Sequence, residues 1–158
     1  MMDRQERQGF NMGKITVETC EIEGLKILTP QVFGDNRGYF METYNYNDYK
    51  AAGIDFNFVQ DNQSFSKKGV IRGLHFQNGE FSQAKLVRVV KGSVYDVAVD
   101  LRKDSPTYGK AYGVLLTEDN NRQFFIPENF AHGFLVTSNE AIFAYKVNKF
   151  YQPGDEGG

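Results

Sequence analysis

Short runs of β-branched and aromatic residues, separated by Gly, Asp or Asn, recur along almost the whole chain, and this pattern restricts the possible folds more than any other feature. The chain has 16 Gly, 14 Phe and 9 Tyr among its 158 residues. Many short strands with frequent turns are typical of β-barrels and sandwiches. We therefore predict an all-β protein, with strands at 14–17, 25–28, 39–43, 56–66, 86–90, 93–100, 108–116, 122–126, 133–136 and 142–149.

Two local signals add detail to this prediction. Asn and Asp residues can cap the start of a short peripheral helix at 47–52, and Gly53 can close it in a left-handed conformation. Lys91-Gly92 predicts a tight turn that joins 86–90 and 93–100 as a hairpin. Alternation in the second arm places Asp96 opposite the bulky Tyr95 and Val97, so Asp96 points either to solvent or into a polar cavity.

Composition excludes several classes of protein. The length and the 41% hydrophobic content suit one domain, at 14–158, preceded by a polar stretch at 1–13 (MMDRQERQGFNMG) that we expect to be disordered. A net charge of −2 without a basic tract argues against nucleic acid as a partner. The single Cys20 cannot form an intrachain disulfide, and no apolar run is long enough to cross a bilayer. We expect a cytoplasmic protein that does not bind membranes.

The scarcity of histidine argues against a metal site. The chain has two histidines, His75 and His132, far apart in sequence, whereas metal sites in barrels of this kind usually need three or more converging ligands. A site made of both histidines and one carboxylate remains possible.

His75 lies in a strand-like run at 69–77 and has two interpretations. A buried imidazole in a strand is commonly neutral, hydrogen-bonded and structural. However, Arg72, Lys85 and Arg88 are near in sequence, and such cations suit an anionic substrate and lower the tendency of His75 to be protonated. These neighbouring cations favour a role for His75 as a general base.

Other candidates are weaker when judged by their residues alone. His132 lies at a junction between a loop and a strand and is as readily structural as functional. Lys85 and Lys146 lie beside or within apolar runs, where an ammonium group needs water or an anion. Tyr145 is expected in the core with its hydroxyl at the rim. The run at 35–38 (DNRG) is a turn signature.

Five segments resemble one family when they are read together. VFGDNRGYFMETY, QDNQSFSKKGVIRGLHFQ, QAKLVRVVKGSVYDVAVDLRKDSPTYG, RQFFIPENFAHGF and AYKVNKFY follow one another along the chain. Their combination and order resemble the dTDP-4-dehydrorhamnose 3,5-epimerases of deoxysugar biosynthesis. The resemblance implies a cupin-like jelly-roll β-barrel with short peripheral helices, and a homodimer that exchanges an N-terminal strand, so that part of each site comes from the other subunit.

The resemblance also assigns roles to residues. It implies that His75 is the base that removes the proton next to the C4 ketone, that Tyr145 returns a proton to the other face, and that Lys85 stabilises the enolate oxygen. It makes His132 and Asp96 a second imidazole–carboxylate pair that lines the pocket. The implied contacts to the diphosphate are Arg37 and Arg72, and those to the thymidine or the rest of the pocket are Phe33, Phe40, Glu42, Gln60, Asn62, Ser64 and Tyr151.

The implied chemistry suits these residue types. Because the ketone itself accepts the electron pair, the reaction needs neither a nicotinamide nor a metal, and the chain has no glycine motif for a dinucleotide. Alternatives are a 3-epimerase or ketoisomerase acting on a related dTDP-sugar, or a non-catalytic jelly roll that binds sugar nucleotides. Family members continue beyond the equivalent of YQPGDEGG with an aspartate that orients the catalytic histidine, so a chain without that segment is expected to have reduced activity.

Overall fold

The computed structural model describes residues 8–12 and 14–157, which form antiparallel strands with one short α-helix. The strands are β1 Gln8–Met12, β2 Ile15–Thr19, β3 Lys26–Pro30, β4 Phe33–Asp35, β5 Gly38–Phe40, β6 Gln60–Lys67, β7 Ile71–Gln77, β8 Lys85–Lys91, β9 Ser93–Asp100, β10 Ala111–Thr117, β11 Gln123–Ile126, β12 Phe130–Val136, β13 Glu140–Val147 and β14 Glu156–Gly157. Helix α1 spans Tyr46–Ala51, and 3-10 turns occupy Gly79–Phe81 and Pro153–Asp155. No helix in this part of the chain is long and apolar enough to cross a membrane.

The strands form two large sheets that pack face to face, which confirms the predicted jelly roll. The seven-stranded sheet has the order β1-β2-β3-β11-β8-β13-β6, and the five-stranded sheet has the order β10-β9-β12-β7-β14. Both sheets contribute to one core, with Val87 and Phe143 from the larger sheet and Ala98 and Leu116 from the smaller. Strands β4 and β5 form a separate hairpin.

A second apolar cluster covers part of the outer face of the seven-stranded sheet. Tyr49 of helix α1 is fully buried there, and its hydroxyl donates to Gln123 Oε1 at 2.5 Å. The predicted helix lies one residue earlier than expected, because the side chain of Asn45 accepts the free backbone N–H groups of its first turn. Gly53 follows it with a φ of +91°, as predicted.

The predicted hairpin across Gly92 is wrong. Strand β8 pairs with β11 and β13, whereas β9 pairs with β10 and β12, so the two strands belong to opposite sheets. Gly92, with a φ of +81°, turns the chain from one sheet to the other. This arrangement lets Val87 of β8 and Val94 of β9 reach the same core from both sides.

Three other segments differ from the sequence-based expectation. The sequence predicts disorder at 1–13, but residues 8–12 pair with β2. An exposed strand edge offers backbone hydrogen bonds to a neighbouring segment regardless of its side chains. Residues 1–7 and 13 lie outside the described residues. The expected tail at 151–158 includes the short strand β14, which pairs with β7. The strand predicted at 56–66 begins only at Gln60, because Phe56 and Phe58 pack on the outer cluster instead.

Candidate active site

A β-bulge in β7 brings Arg72 and His75 to the same face. Residues three apart on a regular strand point to opposite faces. In the pairing of β7 with β12, Gly73 and Leu74 together oppose the single Gly133, so β7 carries one extra residue at this point. Arg72 and His75 therefore both point into the space between the sheets, and both line one cavity.

Gly73 is required at this bulge. Its φ is +93°, and a Cβ there would lie 2.5 Å from the carbonyl oxygen of His132. Any other side chain would collide with the backbone of β12 and displace the strand that carries His75.

The first cavity has a volume of about 430 Å³ and lies at the inner faces of β6, β7, β12 and β13. Its predicted site residues are Asn62, Ser64, Arg72, His75, His132 and Tyr145. Phe134 and Phe143, stacked with their ring centroids 4.2 Å apart, add an apolar surface.

The second cavity has a volume of about 310 Å³ and shares Asn62, His75 and Tyr145 with the first. Its other polar lining residues are Gln60, Gln77, Gln83, Lys85 and Tyr151. His75 and Tyr145 therefore face both spaces. A substrate that occupies both cavities would contact the two side chains at once.

Lys85 supplies a buried positive charge at the second cavity. Its residue is 7% exposed, and its Nζ lies 5.7 Å from the centroid of the Tyr145 ring. Arg88, which we expected beside His75, lies instead with Leu86 in a different cavity, because alternation along β8 turns both away from Lys85. The basic surroundings of His75 are therefore provided by Lys85 and Arg72.

His132 and Asp96 form a buried pair. His132 Nε2 lies 2.8 and 2.9 Å from the two carboxylate oxygens of Asp96, and the two residues are 3% and 0% exposed. Burial raises the pKa of Asp96 above its usual range, although the nearby His132 and Lys85 act in the opposite direction. Asp96 thus points into the interior and not to solvent. The ring centroids of His132 and His75 are 6.2 Å apart.

Five predicted site residues do not line either cavity. Asp96 lies behind His132, which does line the first cavity, whereas the other four lie away from the interior. Phe33, Arg37 and Phe40 lie on the exposed β4–β5 hairpin, where the guanidinium group of Arg37 donates to Asp35 at 2.7 Å and lowers the pKa of that carboxyl group. Glu42 accepts from Lys14 Nζ at 3.3 Å. Within one subunit these residues are separate from His75.

Two residues that were not predicted as site residues, Gln77 and Gln83, also line the second cavity. Gln77 could have been found, because it lies two residues after His75 and so shares its face of β7. Gln83 lies in the connection between β7 and β8, for which the sequence has no comparable signal.

The arrangement can support proton transfer next to a carbonyl group. An imidazole that faces a phenol across shared cavities can act as a base while the phenol acts as an acid. A buried ammonium group can stabilise the negative charge that develops on the carbonyl oxygen. Within 8–12 and 14–157, no three His, Cys, Asp or Glu side chains are grouped so that they could hold a metal ion.

A sequence profile described as dTDP-4-dehydrorhamnose 3,5-epimerase matches residues 19–158. The chain belongs to the dTDP-4-dehydrorhamnose 3,5-epimerase family. It is 55% identical over 145 residues to the member from Shigella flexneri, which covers 91% of this chain and 80% of that protein. It is 53% identical over 137 residues to the member from Methanothermobacter thermautotrophicus, covering 87% of this chain and 74% of that protein.

The fold is also that of solved members of this family. A crystal structure of the dTDP-6-deoxy-D-glucose-3,5-epimerase from Legionella pneumophila, in complex with dTDP-4-keto-L-rhamnose, superimposes with a TM-score of 0.87 at 49% sequence identity. The match covers 90% of this chain and 76% of the Legionella chain. The cupin-like architecture expected from the sequence is therefore confirmed.

Proposed function

We propose that the chain is a cofactor-independent 3,5-epimerase of dTDP-4-keto-6-deoxyglucose in dTDP-L-rhamnose biosynthesis. The observation that carries this function is that His75 and Tyr145 line both cavities while Lys85 lines one of them. The relatives at 53% and 55% identity are named as 3,5-epimerases, which favours inversion at two carbons over a 3-epimerase or a ketoisomerase. A cytoplasmic location is part of the proposal and rests on the single cysteine.

His75 is the base in this proposal. It removes the proton from the carbon next to the C4 ketone, and the electron pair moves to the ketone oxygen as an enolate forms. Lys85 stabilises that oxygen, because a fixed positive charge in a buried site needs little reorganisation during the reaction. Tyr145 then donates a proton to the opposite face of the carbon, which inverts the centre.

The remaining cavity residues bind the substrate in this proposal. Arg72 provides a cation for the diphosphate, and His132, held by Asp96, forms one wall around the sugar. The polar residues proposed to hold the sugar or the thymidine are Gln60, Asn62, Ser64 and Tyr151.

The working form is proposed to be a homodimer with exchange of the N-terminal strand. The β4–β5 hairpin projects exposed Phe33, Phe40 and Arg37 away from their own cavity, which suits a hairpin that completes the cavity of another subunit. The outer face of the five-stranded sheet also exposes large apolar residues, among them Ile71 at 70%.

A mixing experiment tests the shared site. Arg37→Ala and His75→Asn variants are each expected to be inactive, but a mixture that exchanges subunits should regain activity. In the mixed dimer, one cavity has an intact His75 together with the intact Arg37 of the other subunit. A mixture that stays inactive after verified subunit exchange would contradict the proposed contribution of the hairpin.

Solvent deuterium uptake tests the reaction itself. Uptake at both C3 and C5 of the sugar supports the 3,5-epimerase, uptake at C3 alone indicates a single-centre enzyme, and binding without uptake indicates a non-catalytic protein. His75→Asn should abolish uptake at both carbons while the affinity for dTDP stays nearly unchanged, because Asn keeps a polar side chain but cannot act as a base at neutral pH. Retained uptake in this variant would falsify the assignment of the base.

A further inference from the structure

The segment at 148–152, which follows β13 and contains Tyr151, is tied to the connection between β7 and β8. The backbone N–H of Ala84 donates to Asn148 Oδ1 at 2.8 Å. The side chain of Gln83 donates to the carbonyl oxygen of Lys149, also at 2.8 Å. Tyr151 itself lines the second cavity, so these bonds fix the chain just before a proposed substrate contact.

Gln77 ties down the other side of Tyr151. Its Oε1 accepts the backbone N–H of Gln152 at 2.9 Å, and the residue is only 7% exposed. Its Nε2 is buried and has no hydrogen-bond partner among the described residues. A buried amide without any hydrogen bond is costly, and turning the side chain of Gln77 would also break the bond of its Oε1 to Gln152. The bond to Gln152 therefore fixes the orientation of this side chain.

Two glutamines therefore hold the chain on both sides of Tyr151. Gln83 fixes the carbonyl of residue 149, and Gln77 fixes the N–H of residue 152, which leaves only residues 150 and 151 between the two bonds. Gln77 ends the strand of His75, and Gln83 lies on the connection from that strand to the strand of Lys85. The position of Tyr151 therefore depends on the same part of the chain, from the end of β7 to the start of β8, that separates the proposed base His75 from the proposed cation Lys85.

We propose that Gln77 and Gln83 are positioning residues that hold Tyr151 in the substrate cavity, an inference that rests on the proposed epimerase function. Neither side chain takes part in proton transfer. Their effect on the reaction passes through Tyr151, and it appears in substrate binding.

The test begins with Gln77→Met, which keeps the length of the side chain but removes the acceptor for Gln152. We expect kcat/KM to fall about two- to tenfold, the effect of one hydrogen bond, through a higher KM at nearly constant kcat. The backbone amide of Gln152 should also exchange with solvent deuterium faster, while strands β8 and β13 stay protected. Gln31→Met, on an exposed residue that lines neither cavity, is the matched control and should change none of these values.

A double mutant separates positioning from general destabilisation. If Gln77 acts through Tyr151, adding Gln77→Met to Tyr151→Ala should lower kcat/KM no further than Tyr151→Ala alone. Effects that multiply, or an unchanged KM in Gln77→Met, would overturn the inference. If the wild type takes up no deuterium into the sugar, the epimerase function fails, and the faster exchange at Gln152 still reports on whether the segment is held by Gln77.

Discussion

Removal of Asp96 should destabilise the protein more than removal of an exposed carboxylate. Asp96 is fully buried, and both of its oxygens lie within 2.9 Å of His132 Nε2. Asp96→Ala leaves the imidazole of His132 buried without this hydrogen-bond partner, and a buried polar group left unbonded costs about 1–3 kcal/mol. In a domain of this size, about 1 kcal/mol corresponds to about 2–4 °C in Tm, so we expect Tm to fall by about 2–12 °C.

Urea denaturation followed by circular dichroism measures this effect directly. The matched control is Asp61→Ala, which breaks the exposed ion pair with Lys146 and should cost no more than about 1 kcal/mol. The double variant Asp96→Leu with His132→Phe removes both polar partners and should recover much of the lost stability, since an apolar pair leaves no buried group unbonded. An Asp96→Ala variant that loses no more stability than Asp61→Ala would refute this account of the pair.

Three further predictions concern catalysis, pH and folding. Tyr145→Phe should retain deuterium uptake but lose inversion, because the base remains while the acid is gone; NMR of the product measures both, and equal loss of both would contradict the division of roles. Burial alone would raise the pKa of Asp100, but hydrogen bonds from Arg102, Ser105 and Thr107 have the larger effect and lower that pKa. The ionised Asp100 therefore stabilises the fold fully above the unfolded pKa of about 3.9, and this stabilisation is lost as the pH falls below that value. Asp100→Asn should therefore flatten the dependence of unfolding free energy on pH below about pH 4, and an unchanged slope there would exclude this group as its source. Gly92→Ala should cost about 1–3 kcal/mol in chemical denaturation, because φ is +81° and the added Cβ collides with the carbonyl oxygen of Glu140, whereas a neutral result would mean that the turn can relax.

The local pattern of the sequence predicts the elements well but not their partners. Strand β9 lies at the predicted 93–100, since strict alternation over eight residues is a strong signal. The same pattern could not tell that β8 and β9 lie in different sheets, because a glycine with positive φ suits both a hairpin and a turn between sheets.

The candidate site was predictable where residues share a strand face and unpredictable elsewhere. Tyr145 and Phe143 lie on one face of β13, as alternation requires. Arg88 was predicted beside His75 because the two are close in sequence, but it lies on the opposite face of β8 from Lys85 and lines a different cavity. The separation of Arg37 from the cavities could not be read from residue types, because the position of an exposed hairpin depends on what it packs against.

The bulge in β7 makes backbone conformation, as well as residue type, a requirement of the site. Leu74 lines the apolar outer surface of the five-stranded sheet, so its side chain can be exchanged without any change inside the cavity. The extra backbone unit between Arg72 and His75 has to stay outside the regular pairing. If the same residues paired with β12 without the bulge, β7 would return to regular alternation, and either the guanidinium of Arg72 or the imidazole of His75 would face outward.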